Sequence, residues 1–371
     1  MDRPKMKFFL IVLLVIHGII HLMGFLKAYH YLEIAPLKQY IGPASGILWL
    51  TACLLLLLTA LLLVFQNVYW PFFGIAGILL SQVLIILSWS DARYGTLINI
   101  VLLLIMIPAL GNYYFDKMVA NETERLLVTI PSGRTGSFEN ADLTTLPPIV
   151  NTWIRSSGAL SFPEVNVVTL RQRGQLKTSP SGNWLPFTAE QWITTQEPAF
   201  IWKTEVQLMG PLFFVGRDKL YDGEASMMIK LLSVFNVVNA QNDKKLDEAS
   251  LLRFLAEICW YPSAALEPYI QWESISPLEA RARLNHNDLS VSGIFTFLPD
   301  GRLKSFEADR YMGSGKEARL EKWFVENTSY KVFNSVKIPN KSKVSWKLAA
   351  GDFQWLTLEI SDISYNASPS Y

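Results

Sequence analysis

Cysteine is nearly absent: the 371 residues contain two, Cys53 and Cys259. Two thiols so far apart build no disulfide framework, so cysteine usage leaves the compartment open. Histidine is also sparse, with four in the chain. His286 is the one histidine of the second half, and a lone imidazole makes neither a hydrolytic triad nor a zinc site. There is no charge excess: 33 Lys and Arg stand against 32 Asp and Glu, a net charge of +1. A nucleic-acid partner would need a clustered basic surface, and none is expected. The chain has no Gly-x-x-x-x-Gly-Lys-Ser/Thr loop and no Gly-x-Gly-x-x-Gly after a strand pattern. It has no Gly-x-Ser-x-Gly elbow. Phosphate-loop, dinucleotide and nucleophile-elbow chemistry therefore have no sequence support. No metal or cofactor is expected.

Apolar sequence, by contrast, is abundant in the first third. Four runs, at about 8–27, 44–65, 70–89 and 95–111, approach the roughly 20 residues that carry a helix across hydrocarbon. Unpaired backbone groups are excluded from lipid, so these runs are expected to be helices. The lipid bilayer is the first partner the sequence implies. Trp70 and Trp89 bracket the third run as interfacial rings do. Gly74, Gly77 and Ser81 put small residues near one face of it. Packing within the four-helix unit is the expected use of that face, with homodimerisation the alternative. Arg3, Lys5, Lys7, Lys117 and Arg125 outnumber Lys27, Lys38 and Arg93, which favours both termini, and so the C-terminal domain, in the cytoplasm. His17 and His21 lie one turn apart in the first run, where imidazoles are costly unless partnered. The spans offer few further ligands for a metal or haem. Hydrogen bonding between helices or a proton site remains.

Residues 116–145 shift to polar, Gly- and Ser-containing sequence and read as a juxtamembrane segment and linker. Beyond it, 146–371 reads as a β-rich soluble domain. Leu146-Pro147-Pro148 opens a helix closed near Gly158. Strict alternation follows in 200–208, 289–297 and 356–361, the mark of strands with one buried face. Leu298-Pro299-Asp300-Gly301 between two such runs signals a hairpin. Many short strands without βαβ alternation imply an antiparallel sheet with a few helices packed on it. Helices are expected at 224–238, from its dense apolar content, and at 247–260, which Tyr261-Pro262 ends. Such helices either complete the core or leave an apolar cavity inside a curved sheet. Arg253 and Glu257, four apart on the second helix, are candidates for an ion pair facing the sheet or for a site acting on a membrane-derived substrate. Glu307, Asp309 and Arg310 on a strand invite the same reading.

A set of landmarks in this domain resembles an uncharacterised bacterial family of domains of unknown function, DUF6544. They are Leu146-Pro147; Gln172 and Gly174; Trp184, Pro186-Phe187, Ala189 and Gln191; Phe200 and Trp202; Asp218, Tyr221 and Gly223; Arg253, Leu255, Glu257, Trp260, Pro262 and Leu266; Arg310; Ile338-Pro339; and Val344 with Trp346. The resemblance covers about 146–365. Ala225 departs from it, standing where the family pattern has a second glycine. The resemblance implies a bacterial source and an antiparallel β-rich domain, with the membrane segment an addition found in some members; it supplies no activity. By fold-level analogy the expected curved, half-barrel-like sheet is similar to bacterial lipoprotein carriers, which hold acyl chains. The leading expectation is a multi-pass protein of the bacterial inner membrane whose β-rich domain binds a lipid or other apolar small molecule. Trp184, Trp202, Phe235, Trp260 and Phe295 are the candidate lining residues. An enzyme using Arg253 and Glu257, or a non-catalytic partner-binding domain with a filled core, are the alternatives. No protein partner is specified.

Overall fold

The computed structural model describes residues 3–128, 143–161 and 165–366. The chain separates into two compact units, Met1–Lys117 with Leu232–Val234, and Met118–Leu231 with Phe235–Tyr371.

The first unit is helical. It contains α1 (Arg3–Ala28), α2 (Pro43–Val64), α3 (Trp70–Leu87), the short α4 (Trp89–Ala92) and the first part of α5 (Gly95–Val128). Four of these are long and apolar enough to cross a membrane: Lys5–Ala28, Pro43–Val64, Trp70–Leu87 and Gly95–Val128. Leu14, Leu56, Ile78, Leu102 and Met106 meet in one buried cluster. Small residues permit this close approach. A Cβ on Gly74 would lie 2.6 Å from Met106 and 3.0 Å from Thr59, and one on Gly77 would lie 3.2 Å from Leu55. The small face of α3 is thus occupied within the unit, against α2 and α5. Helix α5 holds Pro108 and runs on to Val128. The composition shift at 116 therefore marks no linker up to Val128; the next part of the expected linker, 129–142, lies outside the described residues.

The second unit is one sheet of 13 antiparallel strands. Its strands are β1 (Val167–Leu176), β2 (Leu185–Thr194), β3 (Ala199–Gln207), β4 (Phe213–Tyr221), β5 (Glu224–Leu231), β6 (Phe235–Gln241), β7 (Ile270–Ser276), β8 (Glu279–His286), β9 (Leu289–Phe297), β10 (Leu303–Met312), β11 (Arg319–Phe333), β12 (Val336–Leu348) and β13 (Gly351–Tyr365). The order is β6-β5-β4-β3-β2-β1-β13-β12-β11-β10-β9-β8-β7, so β6 and β7 are the edges. Helix α6 (Pro148–Ser157) precedes the sheet, and α7 (Lys244–Glu257) interrupts it.

The region 224–238, expected as a helix, is the β5–β6 hairpin. Its turn places Leu232 and Ser233 at φ +52 and +60. These residues carry none of the Asn-Gly chemistry that announces such a turn, so the hairpin was hidden in an apolar run. Asp222-Gly223, which does carry it, and Asn334-Ser335, which carries its Asn alone, turn the same way between β4 and β5 and between β11 and β12.

The sheet curls. Helix α7 packs against β4 and β5 and also against β8, β9 and β10. In the ladder β4 is third and β9 eleventh, 11 − 3 = 8 steps apart. Flat, eight steps of about 4.8 Å would separate them by roughly 38 Å, against a helix about 10–12 Å across. One helix touches both only if the sheet wraps round it. The turns meet as well: Asn287, after β8, donates to the Asp222 carbonyl, after β4, at 3.0 Å. Helix α7 is buried almost all round, through Leu246, Leu251, Leu252, Phe254 and Leu255. Asp243 caps its N-terminus by accepting from the Lys245 amide at 3.1 Å.

Candidate functional site

The concave face carries a buried ionic cluster between α7 and the strands. Arg253 sits at its centre. Its Nε donates to Glu257 Oε1 at 2.7 Å and its Nη1 to Asp218 Oδ2 at 3.1 Å. Its Nη2 donates to Gln191 Oε1 at 3.4 Å. The guanidinium carbon lies 4.9 Å from the ring centres of both Phe200 and Trp202. Gln191 Nε2 donates to the other Glu257 oxygen at 2.6 Å, and Trp202 Nε1 donates to Gln172 at 2.8 Å. Period two brings these groups together: Gln172 on β1, Gln191 on β2, Phe200 and Trp202 on β3, and Asp218 on β4 all point to the α7 side.

Arg310 on β10 faces the same interior. Its Nε donates to the Ala249 carbonyl of α7 at 3.0 Å. Its guanidinium carbon lies 4.7 Å from the Trp323 ring centre and 5.7 Å from that of Trp346. Glu307 and Asp309 do not join it. They lie on the opposite face, where Glu307 accepts from Lys322 at 2.8 Å.

Burial dominates the electrostatics here. It pushes the Asp218 carboxyl above the ordinary carboxylate value, although Arg253, Arg310 and Arg217 pull the other way. Burial also works against the charge on Arg253, but Glu257 and Asp218 more than offset it, so its pKa is raised. Arg310, lowered first by burial and then by Arg253, falls to about 10. Burial pushes the Cys259 thiol and the Tyr261 hydroxyl well up, so neither is an available nucleophile. The Arg253–Glu257 pair is closed and buried, with side-chain exposures of 15% and 10%.

The candidate aromatics fall in different places. Trp260 and Phe295 belong to the packed core; Phe295 meets Trp272 and Phe306 edge to face at 5.1 and 4.8 Å and stacks with Trp153 at 6.2 Å. Trp202 stands at the border of the ionic cluster. Trp184 is half-buried just before β2, under Lys177 at 4.9 Å. Phe235, first in edge strand β6, is 62% exposed and sits away from the interior, because its segment is a strand and not the expected helix.

Further along the same concave face lies a second apolar group. Phe187, Ala189 and Val206 are buried beneath partly exposed Leu176, Leu185, Trp202, Phe214, Leu356 and Leu358. No residue of α7 belongs to it. The result is an apolar strip along the concave face, carried by β13, β1, β2, β3 and β4, with the ionic cluster at its inner end. Sequence reasoning missed it because its residues come from both ends of the domain.

In the helical unit His17 Nε2 is 2.9 Å from Asn99 Oδ1 and 3.3 Å from Ser81 Oγ, linking α1, α5 and α3. Asn99 also donates to Gln82 at 3.0 Å. His21 Nδ1 donates to the His17 carbonyl at 2.9 Å, and its ring lies 5.1 Å from Trp49. His17 is thus partnered between helices by an amide and a hydroxyl, whereas His21 is held within α1 by a backbone carbonyl and its buried Nε2 has no partner among the described residues. Among the described residues no three metal-ligating side chains come together.

The fold and site define a class: an apolar helical unit followed by a curled antiparallel sheet that wraps a helix over a buried ionic cluster. The chain belongs to the family of unknown function DUF6544, whose model matches residues 136–358. Nine residues that carry the resemblance, Gln172, Gln191, Phe200, Trp202, Asp218, Arg253, Glu257, Arg310 and Trp346, stand in or beside the ionic cluster. Among solved structures the chain is similar to a DUF1329 family protein from Desulfovibrio piger, with 10% identity and a TM-score of 0.35, covering 61% of this chain and 96% of that one. It is also similar to a LolA superfamily protein from Nitrosomonas europaea, with 10% identity and a TM-score of 0.33, covering 59% and 94%. At these scores neither assigns a ligand or an activity here. No curated protein matches the chain.

Proposed function

We propose that this is a multi-pass bacterial inner-membrane protein whose sheet unit binds a lipid or similar amphiphile in a trough on its concave face. The observation that carries the reading is the strip of Leu176, Leu185, Phe214, Leu356 and Leu358, which stays partly exposed on the inner side of the sheet. Apolar surface costs about 25 cal/mol per Å² while it faces water, so a concave strip of it favours an apolar occupant. A chain with four apolar helices of spanning length has such occupants at hand. The basic residues flanking the runs support both ends of the chain in the cytoplasm, and a reporter fused to its C-terminal end tests that side.

The test is mass spectrometry of lipid extracted from the full chain after extensive detergent washing. The expected result is about one retained lipid per chain, lost in Leu358→Glu. Equal lipid retention by both proteins overturns the reading, because that lipid is then held by the spans alone.

A further inference from the structure

We infer that the ligand of this trough carries an oxyanion, a carboxylate or phosphate, and that Arg310 is its anchor. The inference rests on the proposed trough and deepens it. Arg253 takes both nearby carboxylates: Asp218 at 3.1 Å and Glu257 at 2.7 Å. Arg310 feels both carboxylates at longer range but pairs closely with neither. Among the described residues it makes no ion pair, and its one hydrogen bond uses Nε. Glu321, directly across the β10–β11 ladder, makes no ion pair with it. Both Nη groups therefore remain as donors.

A second donor beside it is also unused. Trp323 is 5% exposed, and its buried Nε1 has no partner. A buried indole N–H without an acceptor costs free energy, and the half-buried Arg310 guanidinium in contact with it has both Nη groups free to donate. An oxyanion accepts from both. Guanidinium binds carboxylate and phosphate through paired, charge-assisted N–H bonds. The burial that lowers Arg310 to about 10 leaves it charged at neutral pH. The placement also fits an amphiphile. Trp346, against Arg310, lies on β12 two residues from Val344, and Val344 pairs with Leu356 on the trough floor. A head group at Arg310 would lay its chain along β13 and β1.

The experiment titrates the full chain, in a non-ionic detergent, with dibromostearic acid and with its uncharged glycerol ester. It reads the saturable part of tryptophan quenching. The expected result is that the acid binds about tenfold or more tightly than the ester. Arg310→Gln should remove that preference, and Arg310→Lys should keep part of it because the charge remains. Thermal unfolding checks that both variants fold; if Arg310→Gln does not, Arg310→Lys and the acid-to-ester ratio of the parent chain decide. Equal binding of acid and ester overturns the oxyanion while leaving the trough standing. No saturable quenching by either removes the trough and the inference together. Inorganic phosphate displacing the acid at a comparable concentration assigns the site to a free anion and overturns the amphiphile.

Discussion

Replacing Arg253 by methionine keeps much of the side-chain volume and removes the cation that bridges Asp218 and Glu257. The parent guanidinium makes three side-chain hydrogen bonds, at 2.7, 3.1 and 3.4 Å, and packs on two rings. Its own side chain is 15% exposed and those of its partners are 23% and 10% exposed. At that burial solvent screens little, and breaking the pair leaves two carboxylates uncompensated, at a cost of about 3–5 kcal/mol. For a unit of this size that is a fall in Tm of about 6–20 °C. The sign of the pH dependence follows from Asp218. Its folded pKa lies above its ordinary value, so its contribution to stability is present at low pH and is lost as pH rises through the folded value. Without Arg253 that pKa climbs further. The gap between variant and parent should therefore be widest above the folded Asp218 value and narrow as pH falls through it and the carboxyl takes up its proton. Adding Asp218→Asn should recover part of the loss at neutral pH. The assay is tryptophan fluorescence on heating the full chain in detergent across a pH series. A gap below about 1 kcal/mol, or one that does not change with pH, would refute the reasoning.

Three further outcomes are expected. Gly174→Ala puts a Cβ 1.9 Å from the Thr357 carbonyl, so it should disrupt the β1–β13 ladder and cost about 2–4 kcal/mol, read by thermal melting. Asn99→Leu removes the bonds that Asn99 makes from α5 to His17 on α1 and to Ser81 and Gln82 on α3, and should lower the unfolding free energy of the helical unit by about 1 kcal/mol without releasing the chain from membranes. Arg310→Met removes a cation that the fold disfavours. It should raise the melting temperature by the equivalent of about 1 kcal/mol, and the gain should shrink as pH rises through about 10, where the parent arginine loses its proton in the fold.

What the sequence revealed and what it concealed divide along the range of the interactions. The apolar runs need only their own composition, and each forms a helix. The alternation in 200–208, 289–297 and 356–361 needs only its neighbours, and each stretch is a strand. Leu298-Pro299-Asp300-Gly301 turns as its residues demand, with Gly301 at φ +83. At 224–238 apolar residues occupy both faces of a hairpin, so period two vanished and density of apolar residues looked helical. The end of the fourth run misled because a helix continues in polar sequence as easily as in apolar. Within the site, Arg253 and Glu257 were visible through their i, i+4 spacing on one helix. Asp218, Gln191 and Gln172 were not visible as partners, since only the ladders β1–β2, β2–β3 and β3–β4 bring them to α7. Arg310 was noticed beside Glu307 and Asp309, but strand alternation sends those two to the other face.

The central claim is that lipid occupies the concave face of the sheet and not only the surface of the helices. Photocrosslinking the full chain in vesicles with a diazirine-bearing phospholipid, followed by peptide mapping, tests it most directly. The account predicts label on peptides containing Leu185, Phe214 and Leu358, suppressed by Leu358→Glu. Label confined to the four apolar helices would contradict it.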